Sequence, residues 1–438
     1  MERKMPLLQI ASTKRHLVTS VGAPFFWLGD TAWELFHRLN KQEVTQYLDD
    51  RVNKGFTVVQ AVILAELEGL TVPNAQGDLP LHDLEPTRPN EPYFAFVDFV
   101  LAEAAQRGIY IGLLPTWGDK YNKAWGVGPE IFTPENAFQY GEFLGRRYRE
   151  VPNIVWVMGG DRLPADQEDY DIVCQMSAGI RAGGAPQLMT MHPKGGHISS
   201  LIYGKEAWLQ IDMFQSLHMK GCKEYRYVRK ALKSSPPRPI IDGEPGYENI
   251  PNFLNKWQKH RLDDFDVRRA AYWSMLSGAA GHTYGCNEIW QMHAAGREPQ
   301  HRADRSWAAA MQFPGASQMG YMRTFFERLP WQRLQPNQGF LGGINWPTGG
   351  YRVAMVDEKC LFAIAYTPEG KPIDAKLGTL QAIKIKAYWF DPASGIYDLI
   401  GDTIPAQRRR FTPKSTESAS RDRVLLVMEE GFASRCGF

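Results

Sequence analysis

The sequence offers little support for covalent or metal cross-links. It contains five cysteines in 438 residues, an odd number, with no close pair and no C-x-x-C motif. This pattern disfavours both a disulfide framework and a cysteine-ligated zinc site. The cysteines are Cys174, Cys222, Cys286, Cys360 and Cys436. We therefore expect a fold stabilised by its core, with no metal and no cofactor.

Long apolar segments are also missing. No run approaches the roughly 18 apolar residues of a membrane-spanning helix, so no membrane partner is predicted. The apolar stretch 7–11 is short and is interrupted by Gln9, which does not fit a signal peptide. We expect a cytoplasmic location, or a periplasmic or secreted one if a leader segment has been removed.

The chain lacks an excess of either charge. Lys and Arg number 50 against 48 Asp and Glu, a formal net charge of +2. A protein that neutralises many phosphates normally shows a clear basic excess, so a nucleic-acid partner is disfavoured. Aromatic residues, in contrast, are abundant, with 13 Trp, 18 Tyr and 22 Phe. Such a content suits a large core, and also the flat apolar surfaces that bind sugar rings.

The first two thirds of the chain alternate short apolar runs with longer amphipathic stretches. Eight candidate strands recur about every 37 residues, close to the size of one unit in an eightfold barrel of about 250 residues. They span 25–29, 57–64, 110–115, 154–158, 188–191, 213–217, 240–242 and 281–284. An open doubly wound sheet is the alternative, but no glycine-rich dinucleotide turn follows the first strand. We predict an α/β fold, a (β/α)8 TIM barrel over residues 1–332.

The last quarter of the chain has a different pattern. Alternating apolar runs at 351–356, 361–366, 383–390, 395–400 and 424–428 are separated by turn-forming clusters. Short strands at this spacing indicate a small antiparallel β-sandwich, which we assign to residues 333–438. It either binds carbohydrate or braces the barrel, and bracing is the favoured interpretation.

Polar residues crowd the ends of the predicted barrel strands, where the chemistry of such barrels takes place. A purely structural barrel has no need for so many polar groups at one rim. The residues that end or follow the eight strands in turn are Asp30; Gln60 and Glu66; Trp117 and Asp119; Asp161 and Arg162; His192; His218; Glu244, Tyr247 and Glu248; and His282, Tyr284 and Asn287.

Two carboxylates stand out among these residues. Asp161 follows strand 4 after paired glycines, and Glu244 follows strand 7 between Gly243 and Pro245. Strands 4 and 7 lie nearly opposite in an eight-stranded barrel, so their tips face each other. Glycoside hydrolysis uses such a pair, one acid for the leaving oxygen and one carboxylate for the anomeric carbon. Alternatively, Asp161 pairs with Arg162, and Glu244 caps the following segment.

Two other functions compete with glycoside hydrolysis. Histidines after strands 5, 6 and 8 would suit a metal-dependent amidohydrolase, but strand 1 ends Leu28-Gly29-Asp30 and lacks the His-x-His pair of those enzymes. A carbohydrate-binding barrel without catalysis would also keep an aromatic pit. Retention of both acids argues against that second alternative.

Four segments together resemble the apiosidase family, glycoside hydrolase family 140, which lies beside the cellulase-like barrels of the large retaining clan. They are 25–33 (FFWLGDTAW), 113–119 (LLPTWGD), 156–162 (WVMGGDR) and 243–248 (GEPGYE). The resemblance covers nearly the whole chain, including 282–285 (HTYG), 313–316 (FPGA) and the β-rich tail. One departure is Gly160-Asp161, where the wider clan usually has Asn-Glu at strand 4.

The resemblance implies a retaining β-glycosidase that releases the branched pentose apiose from pectin side chains or plant glycosides. It implies Asp161 as acid/base and Glu244 as nucleophile, with a carbohydrate substrate as the partner. The residues expected to bind the sugar are Asp30, Trp33, Gln60, Trp117, His192, His218, Tyr247, Glu248, His282 and Tyr284.

Overall fold

The computed structural model describes residues 5–255, 257, 259–405, 408–413 and 421–438. Eight parallel strands in these ranges form the barrel wall, in the order β8-β7-β6-β5-β4-β12-β11-β10. They are β4 (Trp27–Thr31), β5 (Val58–Leu64), β6 (Tyr110–Thr116), β7 (Ile154–Gly159), β8 (Met189–His192), β10 (Asp212–Gln215), β11 (Ile240–Glu244) and β12 (Gly281–Tyr284).

The wall closes between β8 and β10. The backbone N–H groups of Gln210 and Ile211 donate to the Met189 carbonyl oxygen at 3.0 and 3.3 Å, and Thr190 Oγ1 donates to the Ile211 carbonyl at 2.9 Å. A ninth strand, β9 (His197–Ile198), pairs antiparallel with β10. The predicted (β/α)8 TIM barrel is therefore confirmed.

A small antiparallel sheet precedes the barrel, built from β1 (Leu8–Ile10), β2 (Leu17–Thr19) and β3 (Pro24–Phe25). The helices are α1 (Leu35–Arg38), α2 (Lys41–Asn53), α3 (Glu91–Gln106), α4 (Pro134–Tyr148), α5 (Gln167–Ala182), α6 (Ser200–Tyr203), α7 (Tyr225–Ala231), α8 (Asp264–Met275), α9 (Asn287–Trp290), α10 (Trp307–Ala310), α11 (Pro314–Glu327) and α12 (Glu430–Arg435). Among the described residues, none of these helices has the length and apolarity to cross a membrane.

The longer helices begin where local sequence provides a cap. Thr133 accepts a hydrogen bond from the Asn136 backbone N–H at the start of α4, and Pro134 occupies the first helical position. Asp263 caps α8 in the same way through the Asp266 N–H at 3.0 Å. These caps satisfy backbone donors that have no partner inside the helix.

The C-terminal domain is antiparallel, as predicted. One sheet has the order β13-β14-β15-β20-β17-β18, and a separate ribbon pairs β16 with β19. The strands are β13 (Leu334–Pro336), β14 (Val353–Asp357), β15 (Phe362–Thr367), β16 (Ile373–Lys376), β17 (Lys384–Phe390), β18 (Tyr397–Pro405), β19 (Arg408–Phe411) and β20 (Arg423–Glu429). The run of three arginines at 408–410 is part of a strand, and its side chains are exposed.

The C-terminal domain packs directly on the barrel helix α8. Arg268 Nη2 lies 3.1 Å from Asp422 Oδ1, and both side chains are buried. Tyr272 stacks on Tyr366 with ring centroids 5.0 Å apart, and Trp273 Nε1 donates to the Tyr351 carbonyl oxygen at 2.8 Å. Since α8 leads into β12, these contacts support one side of the barrel wall.

Candidate active site

A pocket of about 510 Å³ opens at the C-terminal ends of the barrel strands. Its lining includes both candidate carboxylates, Asp161 and Glu244, together with Trp33, Trp117 and Tyr247. The side chains come from loops after different strands, which is the usual construction of a site in a TIM barrel. The fold therefore brings the two acids into one cavity.

Glu244 is the last residue of β11 and is almost buried, with 5% of its surface exposed. Tyr247 Oη donates to its Oε1 at 2.5 Å, and His218 Nε2 lies 3.4 Å from the same oxygen. His192 Nε2 lies 2.7 Å from Oε2. Burial opposes ionisation, but the contacts with His192 and His218 outweigh it and lower the Glu244 pKa to about 2. Glu244 is therefore held as a carboxylate.

His192 links the two acids. It ends β8, and its Nδ1 accepts a hydrogen bond from the Asp161 backbone N–H at 3.2 Å. In the neutral imidazole an accepting Nδ1 requires the proton to reside on Nε2. Nε2 lies beside Glu244, so the backbone at Asp161 positions the histidine that stabilises Glu244.

Asp161 stands two residues beyond β7 in a tight backbone turn. Its φ is +57°, after Gly159 and Gly160 at +84° and +124°. A Cβ atom at Gly160 would lie 2.8 Å from the Gly118 nitrogen, so a larger residue would clash with the neighbouring loop. The paired glycines thus allow the backbone to approach β6 and direct Asp161 into the pocket.

The Asp161 side chain is 21% exposed, and burial followed by the charge of Glu244 raises its pKa to about 6. Its neighbour Arg162 opposes this effect. The Arg162 guanidinium approaches the carboxylate, with Nη1 at 3.5 Å from Asp161 Oδ2. The other donors are occupied, because Nε and Nη2 bind the carbonyl oxygens of Asn122 and Lys123 at 3.0 and 3.3 Å.

Two tryptophans form the wall beside the acids. Trp33 donates from Nε1 to Tyr247 Oη at 2.9 Å, and its ring lies 5.3 Å from Trp117 and 5.2 Å from His192. Trp117 Nε1 is buried with no hydrogen-bond partner among the described residues. The wall therefore offers apolar ring surface to a sugar.

Six residues expected to bind sugar are absent from the pocket lining: Asp30, Gln60, His192, Glu248, His282 and Tyr284. Asp30 is fully buried, where it accepts from Tyr47 Oη at 2.5 Å and lies 2.9 Å from Arg51 Nε. Gln60 Nε2 donates to the Gly243 carbonyl oxygen at 2.8 Å. Both side chains stabilise the barrel interior instead of the cleft, and Gln60 fixes the backbone next to Glu244.

Three more of these residues, Glu248, His282 and Tyr284, lie on the side of β12 and α11. Tyr284 Oη donates to Glu248 Oε2 at 2.6 Å, and the Gly315 N–H at the start of α11 donates to the same oxygen at 3.1 Å. His282 Nδ1 lies 3.2 Å from Asp242 Oδ2, and both are fully buried. Glu248, His282 and Tyr284 are therefore bound to protein partners. His192, also fully buried, acts from behind Glu244 and does not line the pocket.

The structure adds pocket residues from the loops. Trp125 packs against the Arg162 guanidinium at 4.0 Å from its ring centroid, and Phe253 and Leu254 are exposed at the opening. None follows a strand directly, so strand-end positions gave no signal for them. Glu66 also lines the pocket. Across the described part of the chain, no three His, Cys, Asp or Glu side chains are grouped as metal ligands.

A TIM barrel with a carboxylate and a carboxyl group of raised pKa in one rim pocket has the architecture of a glycoside hydrolase. The chain belongs to the apiosidase-like family, since the model of the apiosidase-like catalytic domain matches residues 11–333. A second model, of a collagen-binding-like domain assigned to a collagenase, matches residues 336–428. The chain is a glycoside hydrolase, and neither the amidohydrolase nor the non-catalytic alternative is supported.

Solved structures agree with this class. A glycoside hydrolase family 5 protein from Bacteroides vulgatus is 29% identical with a TM-score of 0.90, over 97% of this chain and 94% of that one. A further glycoside hydrolase is 28% identical with a TM-score of 0.89, over 97% of each chain. A family 5 mannosidase from Rhizomucor miehei, 11% identical with a TM-score of 0.54, covers 75% of this chain and 100% of its own, and shares the fold. A comparison with curated proteins gave no match.

Proposed function

We propose that this glycoside hydrolase releases apiose from plant glycans or plant glycosides with retention of configuration. The observation that carries the mechanism is the opposite pKa displacement of two carboxyl groups in one pocket. The pKa of Glu244 is lowered to about 2, and the pKa of Asp161 is raised to about 6. Near pH 5 the first is ionised and the second is protonated, which are the states required of a nucleophile and an acid.

In the first step Glu244 attacks the anomeric carbon, forming a carbon–oxygen bond as the bond to the leaving oxygen breaks. Asp161 transfers its proton to that oxygen. Tyr247 and His192 hold Glu244 in place through contacts of 2.5 and 2.7 Å. Direct attack needs the two carboxyl groups about 5–5.5 Å apart, which is the separation we propose.

In the second step a water molecule cleaves the glycosyl ester. The negative charge of Glu244 is one cause of the raised pKa of Asp161. Glycosylation of Glu244 removes that charge. The Asp161 pKa therefore falls, and its carboxylate accepts a proton from the attacking water. The free sugar is released, and the Glu244 carboxylate and the protonated Asp161 are regenerated.

The substrate assignment rests on the apiosidase-like family model, and apiose is the sugar that we propose for this pocket. Apiosylated glycans and apiosylated flavonoid glycosides are incubated with the protein, and the released pentose is identified by chromatography. Proton NMR of the first product reports its anomeric configuration. Release of apiose in inverted form would contradict the retaining mechanism, and release of a different sugar would contradict the substrate.

The Glu244→Gln variant tests the nucleophile. We expect turnover to fall by at least about 10⁴-fold, because the neutral amide removes the attacking group while keeping its shape. A fluorinated glycoside that traps the intermediate should label the wild type on Glu244, as read by mass spectrometry of the peptides. Glu248→Gln is the matched control, since this nearby acid is absent from the pocket lining. Labelling of another carboxylate would show that the labelled residue, and not Glu244, is the nucleophile.

A further inference from the structure

Glu66 places a third carboxyl group in the pocket of Asp161 and Glu244. It stands two residues after the end of β5 and is partly exposed. Its backbone carbonyl accepts hydrogen bonds from the Glu68 N–H at 2.9 Å and from Lys120 Nζ at 3.4 Å. The backbone of Glu66 is therefore fixed, and the side chain is presented to the cavity from a rigid base.

Two neighbouring acids, Asp119 and Glu34, are bonded to protein groups. Asp119 accepts from Lys120 Nζ at 2.9 Å and from the Gly128 N–H at 2.8 Å. Glu34 accepts from the Leu67 N–H at 3.0 Å.

The Glu66 carboxyl group differs, because within the described ranges it has neither a hydrogen bond nor an ion pair. The group is partly exposed in the pocket, so a ligand that displaces solvent from it has to replace the hydrogen bonds that solvent makes.

Burial and the charges around Glu66 determine its protonation state. Burial, and then the negative charges of Asp119, Asp161 and Glu34, raise its pKa to about 8, while Arg162 lowers it. The group is consequently a neutral acid at the pH where Asp161 and Glu244 work. A neutral acid both donates and accepts a hydrogen bond, as a hydroxyl group does. It also adds no second negative charge beside Glu244, because Asp161 is protonated at that pH.

We propose that Glu66 binds the hydroxyl groups of the sugar that lies between Asp161 and Glu244. Its O–H donates to one hydroxyl oxygen, and its carbonyl oxygen accepts from a hydroxyl. This inference rests on the proposed glycosidase function and adds a specificity-determining residue. The ligand it predicts is a neutral polyhydroxy compound, because an anionic group would be repelled by the surrounding acids.

The test uses aryl glycosides of apiose and of several other pentoses. The glycoside that the wild type cleaves fastest is then used for all variants, so the substrate question and the Glu66 question have separate answers. If that glycoside is not the apioside, the substrate assignment fails while Glu66 is still tested. Glu66→Ala should lower kcat/KM by roughly 10- to 100-fold, mostly through KM, since it removes hydrogen bonds to the bound sugar.

Glu66→Gln separates binding from charge. The amide also donates and accepts, so kcat/KM at pH 5 should stay within about threefold of the wild type. In the wild type kcat/KM should decline above pH 6 as Asp161 ionises, and more steeply above pH 8 as Glu66 ionises. The second decline should be missing from Glu66→Gln. Glu68→Gln is the control, an exposed acid two residues away that should match the wild type throughout.

Unchanged kinetics in Glu66→Ala, with the wild-type melting temperature, would overturn the proposal. The same conclusion follows if Glu66→Gln loses as much activity at pH 5 as Glu66→Ala, because a charge and not a hydrogen-bonding pair would then be required. Should Glu66→Ala fold poorly, the Glu66→Gln profile decides. If kcat/KM of Glu66→Gln still declines steeply above pH 8, the assignment of Glu66 as a sugar-binding residue is wrong. If that decline is missing, the assignment is supported.

Discussion

Asp161→Asn should be more stable than the wild type, by an amount that grows with pH. The unfolded chain gives an aspartate pKa of about 3.9, whereas the folded pocket raises the Asp161 pKa to about 6. Below pH 3.9 both states are protonated and the raised pKa has no effect on stability. Between these values the unfolded state releases its proton first, so stability is lost as pH rises.

The magnitude follows from the two pKa values. The destabilisation by Asp161 is about 0.5 kcal/mol at pH 4 and about 3 kcal/mol at pH 7, if the pocket itself is unchanged. Asparagine cannot ionise, so the variant avoids this cost. The wild type retains the aspartate because protonating a leaving group requires it, an example of activity maintained at the expense of stability.

A second effect of the substitution does not depend on pH. Asp161 has a φ of +57°, in the left-handed region that asparagine tolerates well. Asp83 provides a matched control, since it has the same φ and an exposed side chain. Asp83→Asn should therefore change stability by a small and constant amount, apart from its surface pair with Arg88.

The free energy of unfolding is measured in urea at half-unit steps from pH 4 to pH 8 for the wild type and both variants. The difference between Asp161→Asn and the wild type should grow by roughly 2.5 kcal/mol, with its midpoint near pH 5. A difference that is constant with pH would refute the reasoning, because it would mean that folding does not raise the Asp161 pKa. A difference of opposite sign would show that a positive group dominates the pocket.

Two further predictions concern contacts that hold the site and the domains together. His192→Gln should raise the Glu244 pKa and lower kcat/KM by roughly 10- to 100-fold, most strongly at low pH. The control His197→Gln, at a residue outside the pocket lining, should have no effect in the same pH–rate assay. Arg268→Ala should lower the free energy of unfolding by roughly 3–5 kcal/mol, because the buried Asp422 loses its guanidinium partner. Its kcat below the melting temperature should match the wild type, and a loss of kcat without loss of stability would contradict a purely bracing contact.

The barrel was predictable because its signal is repeated. Eight apolar runs recur along the first two thirds of the chain, and each marks a strand that is buried on both faces. The positions of Asp161 and Glu244 could also be predicted, since each follows a strand next to glycine. The short ribbon of β16 and β19 was not predicted, because each strand has four residues and three consecutive side chains of β19 are exposed, which gives too weak a pattern.

The sequence alone determined that polar groups collect at one rim, because the end of a strand fixes a residue's height in the barrel. It could not determine which groups reach the pocket. Asp30 and Glu66 both lie at strand ends, yet Asp30 turns to Arg51 and Glu66 faces the cavity. That choice depends on partners far away in sequence. The different protonation of Asp161 and Glu244 has the same origin, because burial and the histidines after β8 and β10 exist only in the folded barrel.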